Sequence, residues 1–429
     1  MKRFILLYGK AYTLYMRTIL HSDLNNFYAS VECLRNPEIR NKPVIVVGSK
    51  EDRHGIVLAK NSIAKKAGVK TGDVYWEAAV KCGKNIVEVK ADFSTYLQVS
   101  RAVRKIYEDY TDRIEAYGID ECWLDVTESA EFFGSGAEIA QTIRRRVKDE
   151  LGLTVSIGVS WNKIFSKLGS DMKKPDAVTV ISIENYKQKV WPLPVEELLY
   201  VGRATKQKLN RMGIFTIGQL ALSDENAVAQ RLGKWGNYLH AFANGKDLSK
   251  VVKVDEEQNV KSIGNSLTVY RDLKNNDDVK TVIYLLADSV AARMRESGLN
   301  RALSVHVNAR SADLKSYHKQ GKTSRPTGNV REIAELAFKL FREIYPWEEK
   351  VRAMGVSVSD FYFGPEQLDF FGTISANERL NNLNEAVDKI RQKYGNKIIQ
   401  LAIVKKDPRL AELDIKGEHV IHPYSFFRH

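Results

Sequence analysis

Two periodicities of apolar residues alternate along the first half of the chain and predict a mixed α+β fold. Residues 17–24 and 154–159 have the pattern of strands, whereas 93–110 has apolar residues at helical spacing. A hairpin over 117–127 and a helix over 137–151 lie between them. The resulting order, βαββαβ, is the ferredoxin-like pattern, and a further helix is predicted to begin at Asn162.

A small module interrupts this pattern after its first strand. A turn and the start of a helix are predicted over 25–32, and a charged loop over 49–54. Short strands and helices are predicted to follow one another at residues 43–48, 55–59, 61–68, 73–82 and 86–89. Residues 27–92 are therefore expected to be an insertion into a ferredoxin-like unit formed by 17–26 and 93–180.

The second half of the chain begins with helices and then returns to strands. Residues 181–245 have a largely helical pattern, and 246–259 form a polar linker. A second βαββαβ pattern fills 260–364, with its elements predicted at 263–271, 277–297, 302–310, 314–320, 329–345 and 352–359. In the remaining tail, 365–429, we predict a helix over 376–394 and a strand over 398–404.

Composition narrows the class of protein. A chain of 429 residues is too long for one small core, and its net charge of +13 favours a polyanionic partner such as nucleic acid. Three widely spaced cysteines exclude a cysteine-rich zinc site and favour the reducing cytoplasm. Since no apolar run approaches the roughly 20 residues of a membrane span, no membrane partner is expected. Residues 1–16 are interpreted as an N-terminal extension, with Met16 an alternative start.

Two adjacent carboxylates, Asp120 and Glu121, lie within the otherwise apolar stretch 117–127. Because like charges this close repel each other, a buried pair would need a cation, and oxygen-only ligands suit Mg²⁺. Adjacent side chains of a flat strand point to opposite faces, so both reach one metal cluster only if the backbone bends, for which Gly118 is available. A solvated hairpin tip remains the alternative explanation.

Asp23 supplies a third carboxylate at the end of a different strand. Three carboxylates from two strands fit a site for two metal ions roughly 4 Å apart, which suits phosphoryl or nucleotidyl transfer. Considered alone, Asp23 could equally be a turn residue or a helix N-cap.

Longer motifs around these residues resemble the Y-family, translesion DNA polymerases, and the tail resembles the bacterial polymerase IV and UmuC-like branch. The resemblance runs from about Arg17 to about Gly364. It rests on Ser22-Asp23-Leu24, Phe27-Tyr28-Ala29-Ser30-Val31-Glu32, Ile119-Asp120-Glu121, Leu124-Asp125-Val126-Thr127, Ile157-Gly158-Val159-Ser160-Trp161-Asn162-Lys163, Phe165-Ser166-Lys167 and Asp171-Met172-Lys173-Lys174-Pro175. It implies that the ferredoxin-like unit is a palm, the insertion the fingers, 181–245 the thumb and 260–364 the little finger.

The resemblance also implies an activity and the residues that perform it. The substrates would be primed template DNA and deoxynucleoside triphosphates, and the cofactor two Mg²⁺ ions. We assign Asp23, Asp120 and Glu121 to these ions, with the backbone carbonyl of Leu24 as a further ligand by resemblance. Asp125 is interpreted as structural.

Residues near the nucleotide are implied only by the resemblance. Lys65 and Lys167, with Ser62 nearby, would meet the triphosphate. The common family pattern has Tyr and Arg at positions 62 and 65, so Lys65 keeps the charge but lacks a bidentate fork. In the aromatic pair Phe27 and Tyr28, we favour Tyr28 against the sugar C2′ and Phe27 in the core.

Contacts to DNA are expected from two regions. Residues 201–214 resemble a helix–hairpin–helix, whose glycine turn and helix N-terminus bind phosphate, so Gly202, Arg203, Thr205 and Lys206 are candidates. A simple helix-packing unit is the alternative. Arg293 and Arg310 represent the many cations of the little finger, some of which will be ordinary solvated surface.

The tail contains a candidate docking peptide. Gln367, Leu368, Phe370 and Phe371 resemble the peptide with which bacterial polymerases bind the sliding clamp. Apolar anchors this dense commonly mark a docking site. Alternatively, the phenylalanines fold back onto the apolar side of the tail helix.

The leading hypothesis is a monomeric, template-directed DNA polymerase that acts across damaged bases, with lesion tolerance inferred from the resemblance alone. A catalytically inactive clamp- and DNA-binding accessory of the same fold is the main alternative, and the intact Asp23, Asp120 and Glu121 argue against it. A nucleotide cyclase shares the palm pattern and two-metal chemistry. It does not explain the helix–hairpin–helix, the second βαββαβ pattern or the tail.

Overall fold

A computed structural model of the chain describes residues 17–48, 55–254, 256, 260–364 and 373–417. Within these ranges the chain forms two compact units. The first contains 17–46 and 57–256, and the second contains 260–417 together with the short segments 47–48 and 55–56. The expected N-terminal extension, 1–16, lies outside the described residues. The domain boundaries drawn from the sequence stay predictions.

The first unit alternates strands and helices before it becomes helical. Its elements are β1 (Ile19–Leu24), α1 (Phe27–Arg35), β2 (Val44–Val47), β3 (Val57–Lys60), α2 (Ser62–Lys66), α3 (Tyr75–Cys82), β4 (Val87–Lys90), α4 (Phe93–Glu108), β5 (Ile114–Ala116), β6 (Glu121–Asp125), α5 (Ala130–Phe133), α6 (Gly136–Leu151), β7 (Val155–Ser160), α7 (Lys163–Met172), β8 (Val178–Val180), α8 (Tyr186–Lys189), α9 (Arg203–Asn210), α10 (Ile217–Leu222), α11 (Glu225–Leu232) and α12 (Lys234–Ala243).

A five-stranded sheet with the order β5-β6-β1-β7-β8 forms the centre of this unit. Strand β1 pairs antiparallel with both β6 and β7, and all of its residues are buried. The first four strands of this sheet order, from β5 to β7, are arranged as in a ferredoxin-like fold, which confirms the predicted fold. Strand β8 pairs parallel with β7 and was missing from the prediction. Because β1 is central, its last residues lie between two neighbouring strands.

Helices α4 and α6 supply much of the core next to this sheet. Val103, Ile106, Ile139 and Ile143 belong to one buried cluster with the strand residues. Helix α6 begins with a capping box between Ser135 and Glu138, which satisfies amide groups that the first turn leaves unpaired. The inserted module has its own sheet, with the order β3-β2-β4.

Helix α7 packs unusually close to strand β7, and glycine permits this. A Cβ on Gly158 would lie 1.8 Å from the Ser166 carbonyl oxygen, and one on Gly169 would lie 3.2 Å from the Gly158 Cα. The helix therefore rests on strand backbone rather than on side chains. This contact fixes how deep the side chains of α7 reach into the sheet end.

The second unit follows its own strand–helix alternation. Its elements are β9 (Ser262–Leu273), α13 (Asn276–Glu296), β10 (Ala302–Ser311), β11 (Ser316–Thr327), α14 (Val330–Ile344), β12 (Val351–Phe361), α15 (Thr373–Tyr394) and α16 (Pro408–Glu412). The predicted βαββαβ order is confirmed. The sheet order is β11-β10-β12-β9, however, which differs from the order in the first unit.

The prediction of a strand over 398–404 was wrong. This stretch forms turns and leads into a short 3₁₀ helix, Val404–Lys406. The Ile399 carbonyl is not available to a sheet, since the Arg391 guanidinium donates to its oxygen at 2.8 and 3.1 Å. Val404 and Leu410 instead join the core of the second unit. Among the described residues, no helix is both long and apolar enough to cross a bilayer.

Candidate active site

Asp23 and Glu121 face each other at the end of two neighbouring strands. They are paired in the antiparallel register of β1 and β6. Asp120 comes just before β6, and its carbonyl oxygen accepts a hydrogen bond of 3.0 Å from the Leu24 amide. The three predicted acidic residues and Leu24 therefore lie together at one end of the inner strands β1 and β6.

Two ammonium groups approach these carboxylates. Lys167 Nζ lies 2.8 Å from Glu121 Oε2 and 3.9 Å from Asp23 Oδ2. Lys174 Nζ lies 2.7 Å from both Asp23 Oδ2 and Asp171 Oδ1. Lys167 was a candidate from the resemblance, whereas Lys174 was part of a motif but received no role. Its position became evident only from the fold, because α7 ends at Met172 and the next residues bring Lys174 to Asp23.

Burial raises the pKa of two of the acids. For Asp23, desolvation and the neighbouring Glu121 charge raise the pKa to about 7, against the opposing effect of Lys174. For Asp120, desolvation and Glu121 raise the pKa to about 6. Burial is the largest cause of both shifts and repulsion by Glu121 the second, and a bound cation would offset both.

His21 lies beneath this cluster and was also missed by the sequence interpretation. Its ring is fully buried, with Nε2 at 3.4 Å from Glu121 Oε2 and Nδ1 at 2.8 Å from Ser170 Oγ. Desolvation lowers the pKa of His21 to about 4, so the ring is neutral at pH 7. A single sequence does not show that His21, two residues before Asp23, contacts Glu121 on the neighbouring strand β6.

The donor set fits a hard divalent cation. It contains carboxylate and carbonyl oxygens, which are the ligands that Mg²⁺ prefers. In the described parts of the chain, no three acidic, histidine or cysteine side chains converge closely enough to make a finished metal site. Lys167 and Lys174 lie between the carboxylates and act as counterions there. Ion binding would therefore replace contacts that the two ammonium groups make.

The aromatic candidates differ in burial. Phe27 is buried in the core beside Tyr96, as favoured from the sequence. Tyr28 is half-buried and lies against Tyr96 and Phe93. Burial and the nearby Asp120 charge raise the pKa of Tyr28 to about 12, so its hydroxyl stays protonated on the side of the acids.

The other nucleotide candidates lie apart from the acids. Ser62 and Lys65 are exposed on α2, and no hydrogen bond or ion pair within the described ranges joins them to Asp23, Asp120 or Glu121. The structure therefore places Lys167, but not these two residues, in the acidic cluster.

The DNA candidates occupy different environments. Gly202 is the N-cap of α9, with Arg203 exposed, Thr205 half-buried and Lys206 donating to Glu196 at 2.5 Å.

The two little-finger candidates also differ from each other. Arg293 is half-buried and donates to the Gly264 carbonyl at 2.7 Å, whereas Arg310 is exposed on β10. The environment of Arg293 is that of a residue supporting a strand. Gln367, Leu368, Phe370 and Phe371 lie outside the described residues.

Comparison with known proteins agrees with the family resemblance seen in the sequence motifs, and the matches extend over most of the chain. The impB/mucB/samB family matches residues 22–171, and the C-terminal domain of that family matches residues 260–370. DNA polymerase IV of Acetivibrio thermocellus is 51% identical over 393 residues, which cover 91% of this chain and 98% of the relative. DNA polymerase IV of Clostridium acetobutylicum is 35% identical over 395 residues, with 90% and 98% covered.

A solved structure, the Y-family DNA polymerase chimera Dbh-Dpo4(243-245)-Dbh, matches with a TM-score of 0.71 and 25% identity. The match covers 81% of this chain and all of the chimera. With its ferredoxin-like sheet and acidic site, the chain belongs to the impB/mucB/samB family of Y-family DNA polymerases. Within that class it falls in the bacterial polymerase IV branch and is a DNA-directed DNA polymerase. Polymerases of this family generally depend on divalent metal.

Proposed function

We propose that the chain adds deoxynucleotides to the 3′ end of a primer on a DNA template by two-metal nucleotidyl transfer with Mg²⁺. The observation that carries this proposal is the direct opposition of Asp23 and Glu121, with Asp120 one residue away on the same hairpin. The proposed role of the chain in translesion synthesis and DNA repair rests on its family membership. The monomeric state and the cytoplasmic location inferred from the sequence belong to the same proposal.

Each charged side chain has a task in this reaction. Asp23, Asp120 and Glu121, with the Leu24 carbonyl, would hold the ions. Bound Mg²⁺ would lower the pKa of the primer 3′-hydroxyl and neutralise charge on the triphosphate and the leaving oxygen. Lys167 and Lys174, which pair with the carboxylates in this structure, would turn to the triphosphate. Because both are held by the same acids, binding of the ions and release of the lysines would be linked.

Nucleotide recognition would involve three further residues. Tyr28 is on the first turn of α1, close enough to feel the Asp120 charge. A ring there would leave no room for a ribose 2′-hydroxyl. Ser62 and Lys65, on the exposed face of α2, would reach the phosphates only when a nucleotide is present. Since Lys65 lacks the guanidinium fork, its contribution would be that of a point charge.

Template DNA would bind to the exposed face of the second sheet and to α9. His306, Asn308 and Arg310 alternate along β10 with buried Val307 and Ala309, and so share the face opposite the core. Gly355 and Ala353 lie beside Asn308 and Arg310 on β12. Small residues next to donors allow close approach of a phosphate backbone. Binding should weaken steeply as salt rises, because each paired phosphate releases counterions.

The sliding clamp is the proposed protein partner. Gln367, Leu368, Phe370 and Phe371 would form the docking peptide. The structure describes the chain on either side of this segment, up to Gly364 and from Thr373.

Primer extension on a defined template, with Mg²⁺ and one deoxynucleotide at a time, tests the reaction. The double variant Asp120→Asn, Glu121→Gln should fold normally and lose nearly all extension. If the purified double variant extended primers at the wild-type rate, the site assignment would be wrong. An inactive wild type that still bound primed DNA would support an accessory role instead.

A further inference from the structure

The Tyr28 ring is stacked on a second tyrosine from another helix. The centroids of Tyr28 and Tyr96 are 4.4 Å apart, and the rings are 12° from parallel. Phe93 meets both rings edge-on, at 5.8 Å from Tyr28 and 6.0 Å from Tyr96. Stacked and edge-on pairs are the favoured arrangements of aromatic rings. The Tyr28 ring on α1 therefore packs against two aromatic side chains from the first turn of α4.

Tyr96 is itself held by a buried carboxylate. Its hydroxyl donates to Glu32 Oε1 at 2.7 Å, and Glu32 is only 6% exposed. Burial and this hydrogen bond raise the pKa of Tyr96 above its ordinary value, which keeps the phenol a donor. Arg35 Nη1 lies 3.6 Å from Glu32 Oε1. Because Glu32 and Arg35 come four and seven residues after Tyr28, all three lie on one side of α1.

The same arginine ties this arrangement to the first turn of α4. Arg35 donates to Asp92 Oδ2 at 3.0 Å. Asp92 in turn accepts from the Thr95 amide at 3.1 Å and so caps the helix that carries Tyr96. The position of the Tyr96 ring is thus determined from two sides, by the Glu32 bond and by the cap of its own helix.

Packing alone does not explain a carboxylate at this place. A core needs apolar volume under Tyr28, which phenylalanine would supply without the cost of burying Glu32. A charge-assisted hydrogen bond, by contrast, fixes where the phenol oxygen lies and hence the tilt of the ring. Tyr28 is half-buried, so part of its ring is accessible to a ligand while one face stacks on Tyr96.

We propose that Tyr96 is a positioning residue for sugar selection. By stacking on Tyr28 it fixes the position of that ring, and the hydrogen bond to Glu32 fixes the tilt of Tyr96. This deepens the proposed function and rests on the role of Tyr28 at the sugar. Discrimination against ribonucleotides then depends on a residue that never touches the nucleotide. A Tyr28 ring that can sink or tilt leaves space for the 2′-hydroxyl.

The test compares single-nucleotide insertion of a deoxynucleotide and the matching ribonucleotide, each as kcat/KM. Tyr96→Leu, which removes the supporting ring, should lower the deoxy-to-ribo ratio by about tenfold, the upper range for one aromatic pair. Tyr96→Phe, which keeps the ring and removes the hydrogen bond, should lower it about two- to threefold. Glu32→Gln keeps an acceptor but loses the charge that strengthens the bond, so its ratio should lie between those of the wild type and Tyr96→Phe.

Tyr110→Leu is the matched control. Tyr110 is also a buried tyrosine, 8% exposed, but it contacts Phe133 and Arg146 rather than Tyr28. Its loss should lower the melting temperature and leave the deoxy-to-ribo ratio unchanged. A purely structural role of Tyr96 would give this same result, with both nucleotides slowed equally.

Tyr28→Ala separates the inference from the proposal beneath it. If Tyr28→Ala relaxes the ratio while folded Tyr96→Leu and Tyr96→Phe keep the wild-type value, the positioning role is overturned and the sugar role of Tyr28 stands. If Tyr28→Ala itself leaves the ratio unchanged, the sugar role fails and the inference fails with it. Should Tyr96→Leu not fold, Tyr96→Phe decides, and an unchanged ratio in that variant overturns the positioning role.

Discussion

Asp23 and Glu121 are direct partners in the register of two antiparallel strands, and the Lys167 ammonium group lies 3.9 Å from one and 2.8 Å from the other. Two buried carboxylates on adjacent strands stabilise nothing by themselves, because desolvation and repulsion both oppose them. The proposed binding of metal ions would account for their arrangement. Replacing such a carboxylate should therefore lower activity without lowering the stability of the metal-free protein.

We predict that Asp23→Asn leaves the metal-free protein at least as stable as the wild type while primer extension falls by roughly 10²–10³-fold, as when a preorganised electrostatic group is removed. Its raised pKa means that ionised Asp23 already costs folding free energy near pH 7. Thermal unfolding in EDTA and extension in Mg²⁺ measure the two effects. Asp125→Ala is the control, because Asp125 accepts from the Thr127 amide at 3.1 Å. It should lower stability and keep activity, and the opposite pattern in either variant would contradict this division.

Lys174→Ala should raise the KM for the incoming nucleotide by about 10- to 100-fold, the range for one charge-assisted hydrogen bond. Lys174 pairs with Asp23 and Asp171 at 2.7 Å and so lies close to where the triphosphate would bind. Steady-state insertion kinetics give KM and kcat separately. Lys173→Ala changes the neighbouring exposed lysine and should alter neither. Equal KM values for the Lys174 and Lys173 variants would remove Lys174 from the nucleotide site.

The dependence of stability on pH should change when His21 is replaced. The folded pKa of His21, about 4, lies below its ordinary value of 6.5. The unfolded chain therefore binds the proton more readily, and the contribution of neutral His21 is present above pH 6.5 and lost as pH falls toward 4. Relative to His21→Gln, the wild type should lose on the order of 3 kcal/mol between pH 7 and 4. Denaturant unfolding in EDTA at several pH values measures this difference. The contribution of Asp23 has the opposite sign but is common to both proteins, and parallel curves would contradict the assignment.

The tail that follows the second sheet should be an integral part of the second unit. Arg391, which is 7% exposed, donates to Asp288 at 2.7 and 3.3 Å and to the Ile399 carbonyl. Arg391→Met should cost about 3–5 kcal/mol of folding free energy, since it leaves a carboxylate and a carbonyl without their donor. Adding Asp288→Ala should restore part of the loss. Lys393→Ala, at an exposed position two residues on, should change stability little. Additive effects of the two changes would show that the pair is not coupled.

Changing Leu368, Phe370 and Phe371 together to Ala should abolish stimulation by a loaded sliding clamp and preserve synthesis on a bare primer. The reason is that three apolar anchors within four positions carry docking in this proposal. Extension of a long template with and without clamp is the measurement. Equal stimulation of the variant and the wild type would exclude the clamp role. Loss of activity on the bare primer would favour folding of these side chains against the tail helix.

The order of strands and helices could be predicted from the sequence because it depends on local periodicity. The strand order in the second sheet could not be, since β12 lies between β9 and β10 although the βαββαβ pattern is the same as in the first unit. Strand neighbours depend on contacts distant in sequence. The strand predicted over 398–404 failed for a related reason: its apolar residues face a core, but a buried arginine takes the carbonyl that a ladder would need.

The acidic residues were predictable because carboxylates in an apolar stretch conflict with their surroundings. Lys174 and His21 were not, since a lysine in a basic chain and a histidine in a buried strand look ordinary until the fold brings Asp23 and Glu121 next to them. The tilt of Tyr28 depends on Glu32 and Tyr96, which the sequence separates by 64 positions. Single-sequence interpretation thus found the residues that stand out chemically and missed those that hold them.

The contact between Gly158 and α7 bears on how sequence variants of this enzyme should be judged. Neither Gly158 nor Gly169 carries a charge or a reactive group, yet their contact fixes the distance between the helix that carries Lys167 and the strands that carry the acids. A methyl group added at Gly158 would push that helix outward and misplace the ammonium group without altering any charged or reactive side chain. When sequence variants of this enzyme are ranked by their expected effect on activity, a substitution of Gly158 therefore belongs with the loss of a carboxylate of the proposed site.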